Sequence, residues 1–180
     1  MNREQVEHRA EELFQGGLHC AEAVLAAVLE GQGMDAAGIS PRAASAFGGG
    51  VGRSKQSLCG ALSGGFIALG LLQGRDTAGE KWDAVAAAAE SVRARFEAEH
   101  GCTRCVAVLE RLGPQEGMDK CIRLAAHTAG LFHETLANPL GPFEASLCGC
   151  TARVSATGPA KARPEAAEGA KPAGCGCGCG

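Results

Sequence analysis

Apolar residues recur three and four positions apart along most of residues 1–137, a spacing typical of helices that bury one face. The first such face consists of Val6, Ala10, Leu13 and Phe14. The glycine pair Gly16-Gly17 then ends the first predicted helix. Further helices are predicted at about residues 20–29, from the cap Ser40-Pro41 to residue 47, and at about residues 58–72.

Two longer helices and a short one complete the pattern. The capping box Thr77-Ala78-Gly79-Glu80 predicts the start of a helix that continues to about residue 100. Its bundle-facing seam consists of Trp82, Val85, Ala89, Val92 and Phe96. A short helix follows to residue 112. A last helix ends near residue 137, and its core-facing residues are Ile122, Ala125, Ala129, Phe132 and Leu136. We therefore predict an all-α fold, a compact bundle of five to seven helices.

The helical pattern ends after Pro139. Residues 151–174 are rich in Ala, Pro, Gly, Lys, Arg and Glu without apolar periodicity, and the sequence then alternates Cys and Gly. A segment of this composition cannot bury a core. We therefore predict a helical domain over residues 1–150 and a disordered, Cys-rich C-terminal tail over residues 151–180, made of a flexible linker and the Cys-Gly repeat.

The composition argues against several classes of protein. The net charge is −3, and aromatic residues make up 4% with no tyrosine, so no nucleic-acid surface is expected. The apolar stretch at residues 58–72 is shorter than the roughly 20 residues that a membrane-spanning helix needs, so no membrane segment is expected either. The charged N-terminal segment lacks the apolar core of a signal peptide, which predicts a cytoplasmic location.

Ten cysteines carry most of the chemical information, because recurring cysteines in the cytoplasm more often bind metals or exchange electrons than form structural disulfides. Four of them are predicted to begin helices: Cys20, Cys59, Cys105 and Cys121. The candidate caps of the last three helices are Ser57, Thr103 and Asp119. A helix N-terminus stabilises a thiolate and lowers the pKa of the thiol, which makes it a better ligand or nucleophile. Four converging N-termini would hold a negatively charged, thiolate-ligated centre.

The remaining cysteines form CxxC and CGC patterns. Cys102 and Cys105 form a CxxC pair that suits a dithiol redox pair, half of a zinc site or two cluster ligands. A thioredoxin-like pair would need a βαβ context, and no second CxxC lies at zinc-ribbon spacing. The CGC cysteines are Cys148 and Cys150, followed in the tail by Cys175, Cys177 and Cys179. Alternating Cys and Gly is an unhindered chelator for soft metals such as Cu(I), Zn(II) or arsenite.

A glycine-rich loop precedes Cys59 in the stretch FGGGVGRSKQSLCGALSGGFIALG, residues 47–70. The candidate cofactor-binding residues in this loop are Gly48, Gly49, Gly50 and Arg53. The glycines allow a tight turn and leave space beside the cysteine, while Arg53 and Lys55 favour a nearby thiolate or an anionic substrate. The loop follows a helix and does not match GxxxxGK[ST], which disfavours a phosphate site.

Several of these stretches resemble one known family. HCAEAVL, the glycine-rich stretch, the cysteine before LERLG, and CIRLAAHTAGLF are similar to the C_GCAxxG_C_C family of redox-active bacterial and archaeal proteins, some of them selenoproteins. The resemblance covers about residues 10–137 and matches the four defining cysteines to the four that begin helices. It implies a redox function with an iron–sulfur cluster, as in the similar domain of split-Soret cytochromes. The chain departs from the family in its CGALSG lettering, in its Cys-Gly tail, and in Cys102, which with Cys105 gives two candidates for one ligand.

Three functions follow from these observations. The leading hypothesis is a redox-active, electron-transfer protein that binds an iron–sulfur cluster of unspecified type, or another thiolate-bound metal, and serves an unidentified redox partner. The first alternative is a thiol oxidoreductase in which Cys59 attacks and Cys20 or the CxxC pair resolves. The second is a soft-metal binding or delivery protein that uses the CGCGCG tail. A small-residue face at Gly60, Gly64 and Ala68 predicts either a close contact within the fold or a homodimer.

Overall fold

Six α-helices and two 3₁₀ helices make up the fold over residues 1–138, the part of the chain that this computed structural model describes. The α-helices are α1 (Arg3–Gln15), α2 (Cys20–Gly31), α3 (Gly60–Gln73), α4 (Asp83–His100), α5 (Cys105–Leu112) and α6 (Asp119–Ala137). The 3₁₀ helices, Ala36–Gly38 and Pro41–Phe47, lie between α2 and α3. The all-α prediction is confirmed over these residues. The predicted domain boundary near residue 150 and the tail lie outside them.

Helix α1 forms as the sequence predicts and packs against α2 and α6. Its N-terminus is closed by a capping box in which the Asn2 side chain accepts from the Gln5 N–H at 2.9 Å, while the Gln5 side chain accepts from the Asn2 N–H at 2.8 Å. The side chains of Val6 and Ala10 are fully buried, and Phe14 is nearly so. This apolar face therefore anchors α1 to the centre of the bundle.

Helices α2 and α3 form the centre, and their backbones touch. A Cβ placed on Gly64 would lie 2.0 Å from the carbonyl oxygen of Ala21, so only glycine fits at this crossing. One residue further, the ring of Phe132 from α6 lies across Gly65. The small-residue spacing of α3 therefore serves a close contact within the fold, and the homodimer stays a prediction.

Helix α4 begins later than its predicted capping box. The Glu80 carboxylate accepts from the Asp76 N–H at 3.0 Å and from the Thr77 hydroxyl at 3.1 Å, which closes a turn before the helix. Because the helix starts only at Asp83, Trp82 lies before it and is 58% exposed. The prediction that Trp82 belongs to the buried seam is therefore wrong.

The rest of the two seams agrees with the prediction. Val92 and Phe96 of α4 are fully buried, and Val85 and Ala89 pack partly buried against the core. On α6 the buried residues include Ala125, Ala129, Phe132 and Leu136, with Ile122 partly buried. The predicted short third helix is present at residues 41–47, as a 3₁₀ helix rather than an α-helix.

Candidate functional site

Four cysteines from four different helices border one cavity of about 350 Å³. They are Cys20 of α2, Cys59 at the start of α3, Cys105 of α5 and Cys121 of α6. The side chains of Cys59 and Cys105 are 5% and 8% exposed, and those of Cys20 and Cys121 are half-buried. The predicted convergence of these helix N-termini is therefore present in the fold, while metal binding by their thiols stays a prediction.

The residues that cap these helices differ from those predicted. The N-cap positions of α3, α5 and α6 are occupied by Cys59, Arg104 and Met118. The predicted caps were Ser57, Thr103 and Asp119. None of the three observed caps makes a side-chain capping bond, so the amides at these helix ends find other partners.

Two chain segments pair through their backbones and hold Cys59 beside Cys105. The Cys59 N–H donates to the carbonyl of Thr103 at 2.8 Å, and the Cys105 N–H donates to the carbonyl of Ser57 at 2.9 Å. The predicted caps therefore contribute their carbonyls rather than their hydroxyls. The main chain at two of the four cysteines is therefore held by backbone bonds that do not depend on the identity of a capping side chain.

The glycine-rich loop wraps around this pair in an unusual backbone conformation. Residues with φ between 57° and 72° are Gly49, Gly50, Val51, Gly52, Arg53 and Lys55. A left-handed conformation is costly for a branched residue such as Val51, and such strain is common beside functional sites. The structure tolerates it because the loop amides are bonded, for example from the Arg53 N–H to the Gly48 carbonyl at 3.0 Å.

Glycine is required where this loop and α3 approach the cysteines. A Cβ on Gly50 would lie 2.7 Å from the Cβ of Cys105, and a Cβ on Gly60 would lie 2.5 Å from the Sγ of Cys20. Of the predicted cofactor-binding residues, Gly49 and Arg53 border the cavity. Gly48 and Gly50 are not among the residues that border it, although a Cβ on Gly48 would meet His19 and a Cβ on Gly50 would meet Cys105. The glycines therefore make space beside Cys20 and Cys105 rather than beside Cys59 alone.

Two cations border the cavity from this loop. Arg53 places Nη2 at 3.2 Å from Nε2 of His19, whose ring also borders the cavity. Burial raises the pKa of Cys105, and the ammonium group of Lys55 opposes that shift. Neither cation forms an ion pair with a carboxylate among residues 1–138, and both residues are exposed at the edge of the cavity.

Burial, not the helix dipole, dominates the acidity of these thiols. Burial together with repulsion from Cys20 raises the pKa of Cys59 to about 12, although the N–H groups of Ala61 and Leu62 oppose the shift. Burial likewise raises the pKa of Cys20 and of Cys105. The prediction of acidified thiols is therefore wrong for these three in the metal-free cavity, because removing a thiolate from water costs more than a few amides return.

Sequence reasoning missed one residue of the site, Gln115. Its Oε1 accepts from the N–H of Cys121 at 2.9 Å, and its Nε2 donates to the Sγ of Cys121 at 3.2 Å. Gln115 lies in the loop between α5 and α6 and borders the cavity. No periodic pattern marks a glutamine six residues before a cysteine across a loop, so nothing in the sequence singled it out.

The other predicted cysteines do not join this group. Cys102 is buried, accepts from the Arg104 N–H at 3.4 Å, and is not among the described residues that border the cavity. Of the CxxC pair, Cys105 alone faces the cavity. The CGC cysteines, Cys148, Cys150, Cys175, Cys177 and Cys179, lie outside the described residues.

The cavity is not a preformed site for a single ion. Within residues 1–138, no three His, Cys, Asp or Glu side chains are grouped so that they could hold one metal ion. The volume of about 350 Å³ is roughly ten times the share of one water molecule in the liquid, about 30 Å³. Thiols around such a space fit a group larger than one ion.

Comparison with known proteins identifies one family. The family model described as "Putative redox-active protein (C_GCAxxG_C_C)" matches residues 18–135, which include all four cysteines of the cavity. No curated protein and no solved structure matches the chain. Over residues 1–138, none of the helices has both the length and the apolar character needed to cross a membrane.

Proposed function

This chain belongs to the C_GCAxxG_C_C family of redox-active proteins, and we propose that it binds an iron–sulfur cluster and transfers electrons. Cys20, Cys59, Cys105 and Cys121 are the proposed ligands. Such a cluster accepts and returns single electrons, and its potential responds to charge, hydrogen bonds and burial around it. The observation that carries the proposal is the arrangement of these four thiols around one cavity.

The size of the cavity favours a cluster over a mononuclear centre. A structural zinc site brings four ligands within about 2.3 Å of one ion, so its sulfurs must already be close together. The described residues contain no such group, whereas the four cysteines surround a larger space. A polynuclear cluster spreads its thiolate ligands over several metal atoms, which suits four thiols around a cavity of this volume.

The electrostatics of the cavity favour bound cations. Burial raises the pKa of Cys20, Cys59 and Cys105, so these surroundings by themselves disfavour thiolates. Metal ions supply the missing positive charge and deprotonate the thiols that they bind. Arg53 and Lys55 at the same cavity then offset the excess negative charge of a thiolate-ligated cluster.

The same features count against thiol attack by Cys59. An attacking cysteine must be a thiolate near neutral pH and must be reached by its substrate. Cys59 is 5% exposed, and its pKa is raised to about 12. The geometry therefore supports Cys59 as a buried ligand better than as a nucleophile. The soft-metal alternative depends on the tail, which lies outside the described residues.

The test is anaerobic reconstitution with Fe²⁺ and sulfide, followed by iron and sulfide analysis and visible spectroscopy. We expect bound iron and sulfide with a broad charge-transfer absorption. Cys105→Ser should lose most of this absorption, whereas the matched variant Cys102→Ser should retain it, because only Cys105 of the pair faces the cavity. A colourless wild-type protein without iron would refute the proposal.

A further inference from the structure

The side-chain amide of Gln115 forms hydrogen bonds with two atoms of Cys121, its backbone nitrogen and its Sγ. One side-chain group both accepts from the backbone N–H of Cys121, at 2.9 Å, and donates to its Sγ, at 3.2 Å. Cys121 is the third residue of α6, where the backbone N–H has no partner within the helix. The side chain of Gln115 thus replaces the missing capping bond, because Met118 at the N-cap position makes none.

The chemistry of the two bonds fixes the orientation of this amide. A backbone N–H can only donate, so the atom of Gln115 that faces it must be the oxygen. The NH₂ group is then directed at Sγ by the planar geometry of the amide. Because the backbone N–H of Cys121 must face Oε1, Nε2 is the atom that faces Sγ. The assignment of the oxygen and nitrogen of this amide is therefore not arbitrary.

The other three thiols of the cavity have no such side-chain partner in the described residues. Cys20 and Cys59 are approached instead by backbone N–H groups, that of Gly49 at Cys20 and those of Ala61 and Leu62 at Cys59. The position of Cys105 is set by the backbone bond of its own amide to Ser57. Cys121 is thus the thiol whose hydrogen bonding can be changed by one side-chain substitution.

We infer that Gln115 is the positioning residue of Cys121 and that its N–H···S bond raises the reduction potential of the bound cluster. This inference rests on the proposed function. Reduction places more negative charge on the sulfur ligands, so a donor at Sγ stabilises the reduced state more than the oxidised state. The second bond, to the backbone N–H, holds the start of α6 so that Sγ keeps its direction.

The variant Gln115→Glu separates the two bonds. At pH 8 the glutamate keeps an oxygen for the Cys121 N–H but has no N–H to donate to Sγ. We expect wild-type iron content and a more negative reduction potential, measured by spectroscopic titration after reconstitution with Fe²⁺ and sulfide. Gln56→Glu, at an exposed residue of the neighbouring loop, adds the same charge without contacting Cys121 and should shift the potential less.

Gln115→Leu removes both bonds. This protein should retain iron about 10- to 100-fold less tightly against a chelator, the range typical for loss of a partner that orients a metal ligand. In the metal-free state, Gln115→Glu should keep the wild-type unfolding midpoint, since its capping bond remains, and Gln115→Leu should lower it. A potential that Gln115→Glu shifts no further than Gln56→Glu does would show that Gln115 is only a helix cap, and would overturn the inference.

A second measurement separates this inference from the proposed function. If the wild-type protein takes up no iron, the proposed function fails, and the bond to Sγ is then tested in the metal-free protein with iodoacetamide. Gln115 touches the Sγ of Cys121 directly, so Gln115→Glu should change the rate of alkylation at Cys121 relative to both wild type and Gln56→Glu, as resolved by peptide mass spectrometry. Equal rates in the three proteins would refute the N–H···S bond.

Discussion

The substitution Gly60→Ala perturbs the cavity without removing a thiol. The added Cβ would lie 2.5 Å from the Sγ of Cys20 and 3.0 Å from the carbonyl oxygen of Phe47. The carbonyl oxygen of Phe47 prevents the new Cβ from moving away on that side. The overlap with Sγ is therefore removed only if the Cys20 thiol rotates or α3 shifts. Either response changes the direction of a proposed ligand.

The expected energy follows from two opposing effects. Overpacking in a well-packed site costs about 1–3 kcal/mol. Replacing glycine by alanine in a helix returns about 0.5–1 kcal/mol. We therefore expect Gly60→Ala to lower the free energy of unfolding of the metal-free protein by roughly 0.5–2 kcal/mol. Gly70→Ala on the same helix is the control, because its Cβ would meet nothing within 4 Å, and it should stabilise the protein.

Two assays check this prediction. Urea unfolding compares the metal-free proteins, and iron analysis after anaerobic reconstitution compares their loading. Gly60→Ala should bind less iron than wild type, whereas Gly70→Ala should load normally. If Gly60→Ala matches Gly70→Ala in both stability and iron content, the close approach of Gly60 to the Cys20 sulfur is not a feature of the protein.

Two further predictions concern the packing beneath the site and the acidity of its thiols. Gly64→Ala brings a Cβ to 2.0 Å from the backbone of α2, which cannot rotate away, so unfolding by urea should show a loss of about 1–3 kcal/mol or more; a neutral effect would contradict the helix contact. The pKa of Cys59 rises from 9.0 to about 12 on folding, so the unfolded chain loses this proton first. The contribution of this group to the free energy of unfolding of the metal-free protein should therefore be full below pH 9 and fall as pH rises toward 12. Cys59→Ala should reduce the slope of the free energy of unfolding against pH, measured by unfolding curves between pH 8 and 11. An unchanged slope would contradict the raised pKa of Cys59.

The sequence predicted the helices and the four cysteines that begin them, because both follow from local patterns. That these cysteines meet at one cavity depends on tertiary packing, which the sequence left open. Apolar spacing set the buried faces of α1 and α6, and glycine after a helix marked its end. Local patterns were misleading where a residue could either cap a helix or form a different hydrogen bond. Glu80 closes a turn instead of starting α4, and Ser57 offers its carbonyl to the Cys105 N–H instead of capping α3.

Features that depend on tertiary contacts could not be predicted. Gln115 contacts Cys121 only because the loop between α5 and α6 folds back over the start of α6. The acidity of the thiols depends on the depth of the cavity, which no spacing along the chain encodes. A helix N-terminus predicts a lowered thiol pKa only if water or a cation remains nearby.

The four thiols are held by two kinds of support, and this difference determines which substitutions alter the site. Backbone bonds fix the main chain at Cys59 and Cys105, and both residues are buried. Cys20 and Cys121 are half-buried, and a single substitution alters the surroundings of each. Gly60→Ala adds a Cβ against the Sγ of Cys20, and Gln115→Leu removes the hydrogen bonds to Cys121. Because a metal bound by these thiols would bind the folded chain in preference to the unfolded one, metal binding should add stability by mass action in proportion to its affinity. The buried pair then supplies a rigid half of the site, and the half-buried pair is where substitutions tune its affinity and potential.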